Sequence, residues 1–109
     1  MKTEDVEGAR QRAIAKLEVK TREAAAMAMN GRYWQRGPFN VQRWVERGYN
    51  AAIGVLREQA PASDEDIRQY LSRVSKEVRS LRDDGPDADD EAWYSSAIDE
   101  ACVLISGTD

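Results

Sequence analysis

Between Pro61 and the Gly85–Pro86 pair, apolar residues recur at Ile67, Leu71, Val74, Val78 and Leu81. The steps alternate four and three, which is the spacing of one face of an α-helix and not the alternation of a strand. Tyr70 falls at the edge of this stripe. Pro61 interrupts the chain upstream, and Ser63 is expected to cap the helix, with Asp64, Glu65 and Asp66 in a first turn where carboxylates meet the positive end of the helix dipole. Gly85 supplies a terminating conformation and Pro86 forbids continuation. The pattern predicts a helix over 64–82. Most of a helix's stability in a protein comes from packing its apolar face, which needs partners elsewhere in the chain.

Three further helices answer that need. The first, over 4–29, is rich in Ala, Glu, Lys and Arg, and its stripe of Val6, Ala9, Ala13, Leu17, Ala24, Ala25 and Ala28 consists mostly of small residues. Asn30-Gly31 ends it with residues that tolerate the left-handed conformation. The second, over 41–59, carries Val41, Trp44, Val45, Gly48, Ala52, Val55 and Leu56 on one face. Asn40 can cap it, and Phe39 and Trp44 stand where a hydrophobic staple needs them, so Trp44 is read as core. Gly48 and Ala52 leave a shallow groove suited to the Ala-rich end of the first helix. The fourth, over 88–105, opens after Asp87 and presents Tyr94, Ala97, Ile98, Ala101, Leu104 and Ile105, with Trp93 and Cys102 flanking. With no competing strand pattern or internal repeat, the chain reads as all-α. The expectation is a single domain, 1–109, built as a bundle of about four helices with short connections.

Charge is unevenly placed. The net charge of −4 divides into 11 Lys/Arg against 7 Asp/Glu in residues 1–59 and 5 against 13 in residues 60–109. The longest apolar-looking run, AAAMAM at 24–29, is too short to span a membrane, and no basic-then-apolar leader opens the chain. A single cysteine cannot form an internal disulfide. A cytoplasmic location with no membrane partner is therefore expected.

Residue types also limit the chemistry. The chain has no histidine, which removes the commonest general base and metal ligand and every Ser-His or Cys-His pair. Cys102, inside AIDEACVLI, reads as a small buried hydrophobe and not as a reactive thiol. No Walker loop or GxGxxG motif is present. The run DDGPDADDE, 83–91, resembles a calcium loop in composition only. Counted from Asp83, the third position is Gly85 and the twelfth Tyr94; counted from Asp87, the central glycine position is Ala92 and the twelfth Ile98. No metal, cofactor or catalytic residue is assigned, and a non-enzymatic role is expected.

Two surfaces stand out as binding candidates. The first is GRYWQRGPFNVQRW, 31–44, and its continuation to Arg47 and Tyr49. Arginine beside flat aromatics anchors protein interfaces and stacks on bases, which selects Arg32, Tyr33, Trp34, Arg36, Arg43 and Arg47 as the partner-binding set. The second is acidic: Asp83, Asp84, Asp87, Asp89, Asp90 and Glu91, which suit a basic partner. The expected function is a small helical protein-interaction module, a regulator or stoichiometric inhibitor of a larger macromolecule, of the kind phages and mobile elements direct at host machines. A short single domain leaves such a protein no separate effector. One alternative is nucleic-acid binding through 32–49, which the negative net charge opposes. The other is a carboxylate-based helical enzyme or ligand binder. The strict heptad of the third helix and the long first helix could each also provide a homodimer seam.

Overall fold

A computed structural model describes residues 2–28, 41–62, 64–84 and 91–108, with side chains over 5–27, 43–62, 64–82 and 93–108. The chain is an all-α four-helix bundle: α1 (Lys2–Ala28), α2 (Val41–Glu58), α3 (Ile67–Ser80) running on into a 3₁₀ turn (Leu81–Asp84), and α4 (Glu91–Ser106). Among the described residues there is no strand and no helix long and apolar enough to cross a membrane.

α1 lies along α2, α2 also packs on α4, and α4 pairs with α3. Two polar contacts fix directions. Arg10, early in α1, reaches the end of α2, and Ser75 in α3 meets Ser106 at the end of α4. Both pairs are therefore antiparallel, as short connections favour.

The start of α3 differs from expectation. Asp66, not Ser63, is the cap: its carboxylate accepts from the Gln69 backbone N–H at 2.7 Å, and the Gln69 side chain accepts from the Asp66 N–H at 3.0 Å. This reciprocal capping box satisfies two backbone donors at once, so the helix begins at Ile67. Asp64 and Glu65 consequently precede the helix, and Ser63 lies outside the described residues, as do the expected terminator Gly85–Pro86 and the residues 29 and 87–90 assigned to helix ends.

The heptad of α3 does face inward. Leu71, Val74 and Val78 are buried, with Ile67 and Leu81 partly so. Tyr70 is not at the edge but fully buried, among the largest side chains with no exposure. Its ring contributes apolar area worth about 1.5–3 kcal/mol, and its hydroxyl donates to the Gln59 carbonyl at 2.8 Å, so no polar group is stranded.

The buried stripe of α2 is rotated from the one the sequence suggests. It consists of Gly48, Tyr49, Ala52, Ile53 and Leu56, with Val45 and Val55 only partly buried beside it. Tyr49 is accordingly core and not part of a binding surface. Gly48 meets α4 instead of α1. A Cβ there would lie 2.7 Å from the Ala97 Cβ and 3.2 Å from the Tyr94 carbonyl oxygen. Only glycine allows α2 and α4 to approach so closely.

Two arginines close the end of the frame where α2 gives way to the link to α3. Arg10 donates from Nε to the Leu56 carbonyl and from Nη2 to the Arg57 carbonyl, each at 2.6 Å, capping acceptors that α2 itself cannot satisfy. Arg73 donates to both oxygens of Glu65, at 2.8 and 2.9 Å, to Gln59 Oε1 at 2.7 Å and to the Ala60 carbonyl at 3.0 Å. The link between α2 and α3 is thus tied down along its length.

Candidate functional site

The partner set expected from sequence divides sharply. Arg32, Tyr33, Trp34 and Arg36 lie outside the described residues, while Arg43 and Arg47 stand on the outer face of α2. Of the acidic set, Asp87, Asp89 and Asp90 lie outside the described residues; Asp83 and Asp84 belong to the 3₁₀ turn and Glu91 opens α4, their side chains not described.

Arg43 and Arg47 are one helical turn apart, and Asn50 and Glu46 complete the same face. With Trp44 they line an open cleft of about 530 Å³. Arg43 pairs with Glu46 at 3.3 Å. The Arg47 guanidinium sits 4.8 Å from the centroid of the Trp44 ring, a cation–π arrangement.

Trp44 itself corrects an expectation. It is partly exposed, not core, because the apolar stripe of α2 is centred on Tyr49, Ala52 and Leu56 and leaves Trp44 at the border with the polar face. The indole Nε1 is buried, yet finds no hydrogen-bond acceptor among the described residues. A buried N–H without a partner costs on the order of 1–3 kcal/mol, and proteins rarely leave one so. The sequence holds a usable signal: Trp44 lies beside Arg43 and one turn before Gly48, the residue that begins the true buried stripe.

Elsewhere the titratable groups serve the frame. Hydrogen bonding from Gln11, and then from Arg10, holds Glu7 below the usual carboxylate range against the opposing effect of burial. Burial raises the Tyr49 phenol above its ordinary value, and the negative charge of Glu100 adds to the effect; Glu100 in turn pairs with Lys20 at 3.5 Å, joining α4 to α1. Cys102 is buried with Sγ 3.5 Å from the Ser75 carbonyl, and burial pushes its thiol up, with Arg79 pulling the other way. That environment suits packing, as its sequence context implies. Among the described residues no group of three or more Cys, Asp or Glu is placed to hold a metal ion.

A second cleft, which sequence reasoning does not single out, runs between α3 and the end of α4. It measures about 360 Å³ and is lined by Arg68, Leu71, Ser72, Ser75, Lys76, Arg79 and Ser106. Its signal in the sequence is a set of cations and serines at helical spacing, Arg68, Ser72, Ser75, Lys76 and Arg79.

Comparison with protein-family models, with curated proteins and with solved structures finds no match to this chain.

Proposed function

We propose that this protein is a non-enzymatic, cytoplasmic helical interaction module, a regulator or stoichiometric inhibitor that engages a protein partner through the outer face of α2. The observation that carries the reading is the Trp44–Arg47 pair at the rim of a 530 Å³ cleft, with the indole N–H buried and unpaired among the described residues. Tryptophan and arginine are the residue types most enriched where single side chains dominate binding energy. A partner carbonyl or carboxylate reaching into the cleft would satisfy the indole donor and meet the Arg47 charge in one contact. The rest of the α2 surface is polar and gives such an anchor its rim. In sequence the pair begins eight residues beyond Arg36, the last of Arg32, Tyr33, Trp34 and Arg36, which carry the same chemistry.

The test is capture of the partner by the full chain and by Trp44→Ala and Arg47→Glu variants, with helical content followed by far-UV circular dichroism. Wild type should retain a stoichiometric protein partner and both variants should lose it while staying helical. A partner held equally by both variants places the surface elsewhere. Capture abolished by nuclease treatment replaces the protein reading with nucleic-acid binding.

A further inference from the structure

The α3–α4 cleft is independent of the α2 face and has a different chemistry. Arg68, Lys76 and Arg79 line it, and among the described residues none of the three has a carboxylate partner. Neighbouring cations on the same helix and its 3₁₀ extension do: Arg73 is held by Glu65 and Arg82 faces Asp99 at 3.4 Å. Among the described residues no acid appears in the lining, in a chain where acids outnumber bases by 20 to 16.

Hydroxyls share the lining: Ser72 and Ser75 lie three residues apart on α3, and Ser106 joins them from α4. Ser75 Oγ and Ser106 Oγ are 3.1 Å apart and share one hydrogen bond. Each hydroxyl has a single proton, so whichever donates, the other keeps its O–H for a ligand. Lys76 and Arg79 each stand one helical turn beyond Ser72 and Ser75 in the same lining, and Arg79 also reaches the Cys102 thiol.

We propose that this cleft binds a phosphate monoester dianion. Such a group carries about −1.5 to −2 charges and three acceptor oxygens, matching several cations and hydroxyl donors at one place. A lone carboxylate, with one charge and two oxygens, would leave most of these donors unmatched. The volume suits a group of small-ligand size. A polynucleotide is disfavoured, because the chain as a whole is negative and the stretch of described cations, Arg68 to Arg79, is short.

The experiment is a backbone amide NMR titration at constant ionic strength, with inorganic phosphate, glycerol phosphate and a phosphoserine peptide as probes and chloride and acetate as controls. Saturable shifts with all three phosphates, confined to 68–79 and the end of α4, are expected. Lys76→Ala/Arg79→Ala should weaken binding by at least about tenfold, with Arg79→Lys losing less because it keeps the charge. A phosphopeptide binding well beyond glycerol phosphate assigns the group to a modified protein, and the reverse assigns it to a small metabolite. Shifts matched by chloride, or unchanged in the double variant, overturn the site. Tight, steeply salt-dependent binding of a single-stranded oligonucleotide through the same residues also overturns it, in favour of a polynucleotide track. The Trp44→Ala variant should bind phosphate normally, so failure here is distinct from failure at the α2 face.

Discussion

Arg73 and Arg79 lie on the same helix, and the fold uses them in opposite ways. Arg73 directs every part of its guanidinium at the α2–α3 link, reaching Glu65, Gln59 and the Ala60 carbonyl while lying 5.4 Å from the centroid of the buried Tyr70 ring. Arg79 lines a cleft with three serines and lies beside the Cys102 thiol, with no carboxylate paired to it among the described residues. Residue type and helix are shared; the difference lies in what each faces. An arginine whose every guanidinium nitrogen is hydrogen-bonded inside the molecule stabilises the fold, whereas one set beside other cations and hydroxyls is arranged for something that arrives from outside.

The largest effect should come from the residue beneath Arg73. Tyr70→Ala removes a fully buried ring and the bond to the Gln59 carbonyl, and is expected to destabilise the protein by about 3–5 kcal/mol in urea unfolding. A loss under about 1 kcal/mol would mean that the α2–α3 junction contributes little to holding the bundle together.

Arg73→Ala comes next, at about 1–2 kcal/mol, because its hydrogen bonds are charge-assisted but partly open to solvent. Its pH dependence sharpens the comparison. The hydrogen bond from Arg73 is the first cause holding the folded Glu65 carboxyl below its ordinary 4.5, with burial opposing and the Ala62 N–H adding to the lowering. A depressed carboxylate contributes stability that is complete above its unfolded value and is lost as pH falls through the folded one. The gap between wild type and Arg73→Ala should therefore be full at neutral pH and close progressively below about pH 4.5. A gap that stays constant through strong acid would deny the Glu65 pairing.

Tyr70→Phe isolates the hydroxyl and should cost about 1 kcal/mol, leaving the Gln59 carbonyl without its donor. Burial raises the Tyr70 phenol above its ordinary 10.0, so its folded-state advantage is complete below that value and fades as pH rises beyond it. The difference in unfolding free energy between wild type and Tyr70→Phe should accordingly narrow above about pH 10.

How much of this is legible in the sequence follows from what periodicity reports. Regular stripes such as Leu71, Val74 and Val78 announce their burial, and the four helices follow from them. Rotational setting is harder. On α2, Trp44 and Tyr49 both fit apolar faces, and only contact with α4 through Gly48 decides that Tyr49 goes in and Trp44 stays at the border. Caps depend on side-chain geometry two or three residues away, so Ser63 and Asp66 compete on equal terms until Gln69 is seen to close the box on Asp66. That Arg43 and Arg47 share a cleft with Trp44 is readable from their spacing along α2. The α3–α4 cleft is not, since its meaning depends on Ser106 arriving from a distant segment.

The smallest effect is expected on the other side of the comparison. Arg68→Ala and Arg79→Ala should each change stability by no more than about 0.5 kcal/mol, because neither removes a carboxylate contact and both side chains are exposed. Relief of repulsion between neighbouring cations favours the variants at low salt, an advantage that screening erases. The informative reference is Arg73→Ala under identical conditions. If Arg79→Ala costs as much as Arg73→Ala, Arg79 belongs to the frame through its place beside Cys102, and the contrast between the two arginines fails. If it costs nothing while phosphate binding falls, the same helix carries a structural face at its start and a ligand face along its flank.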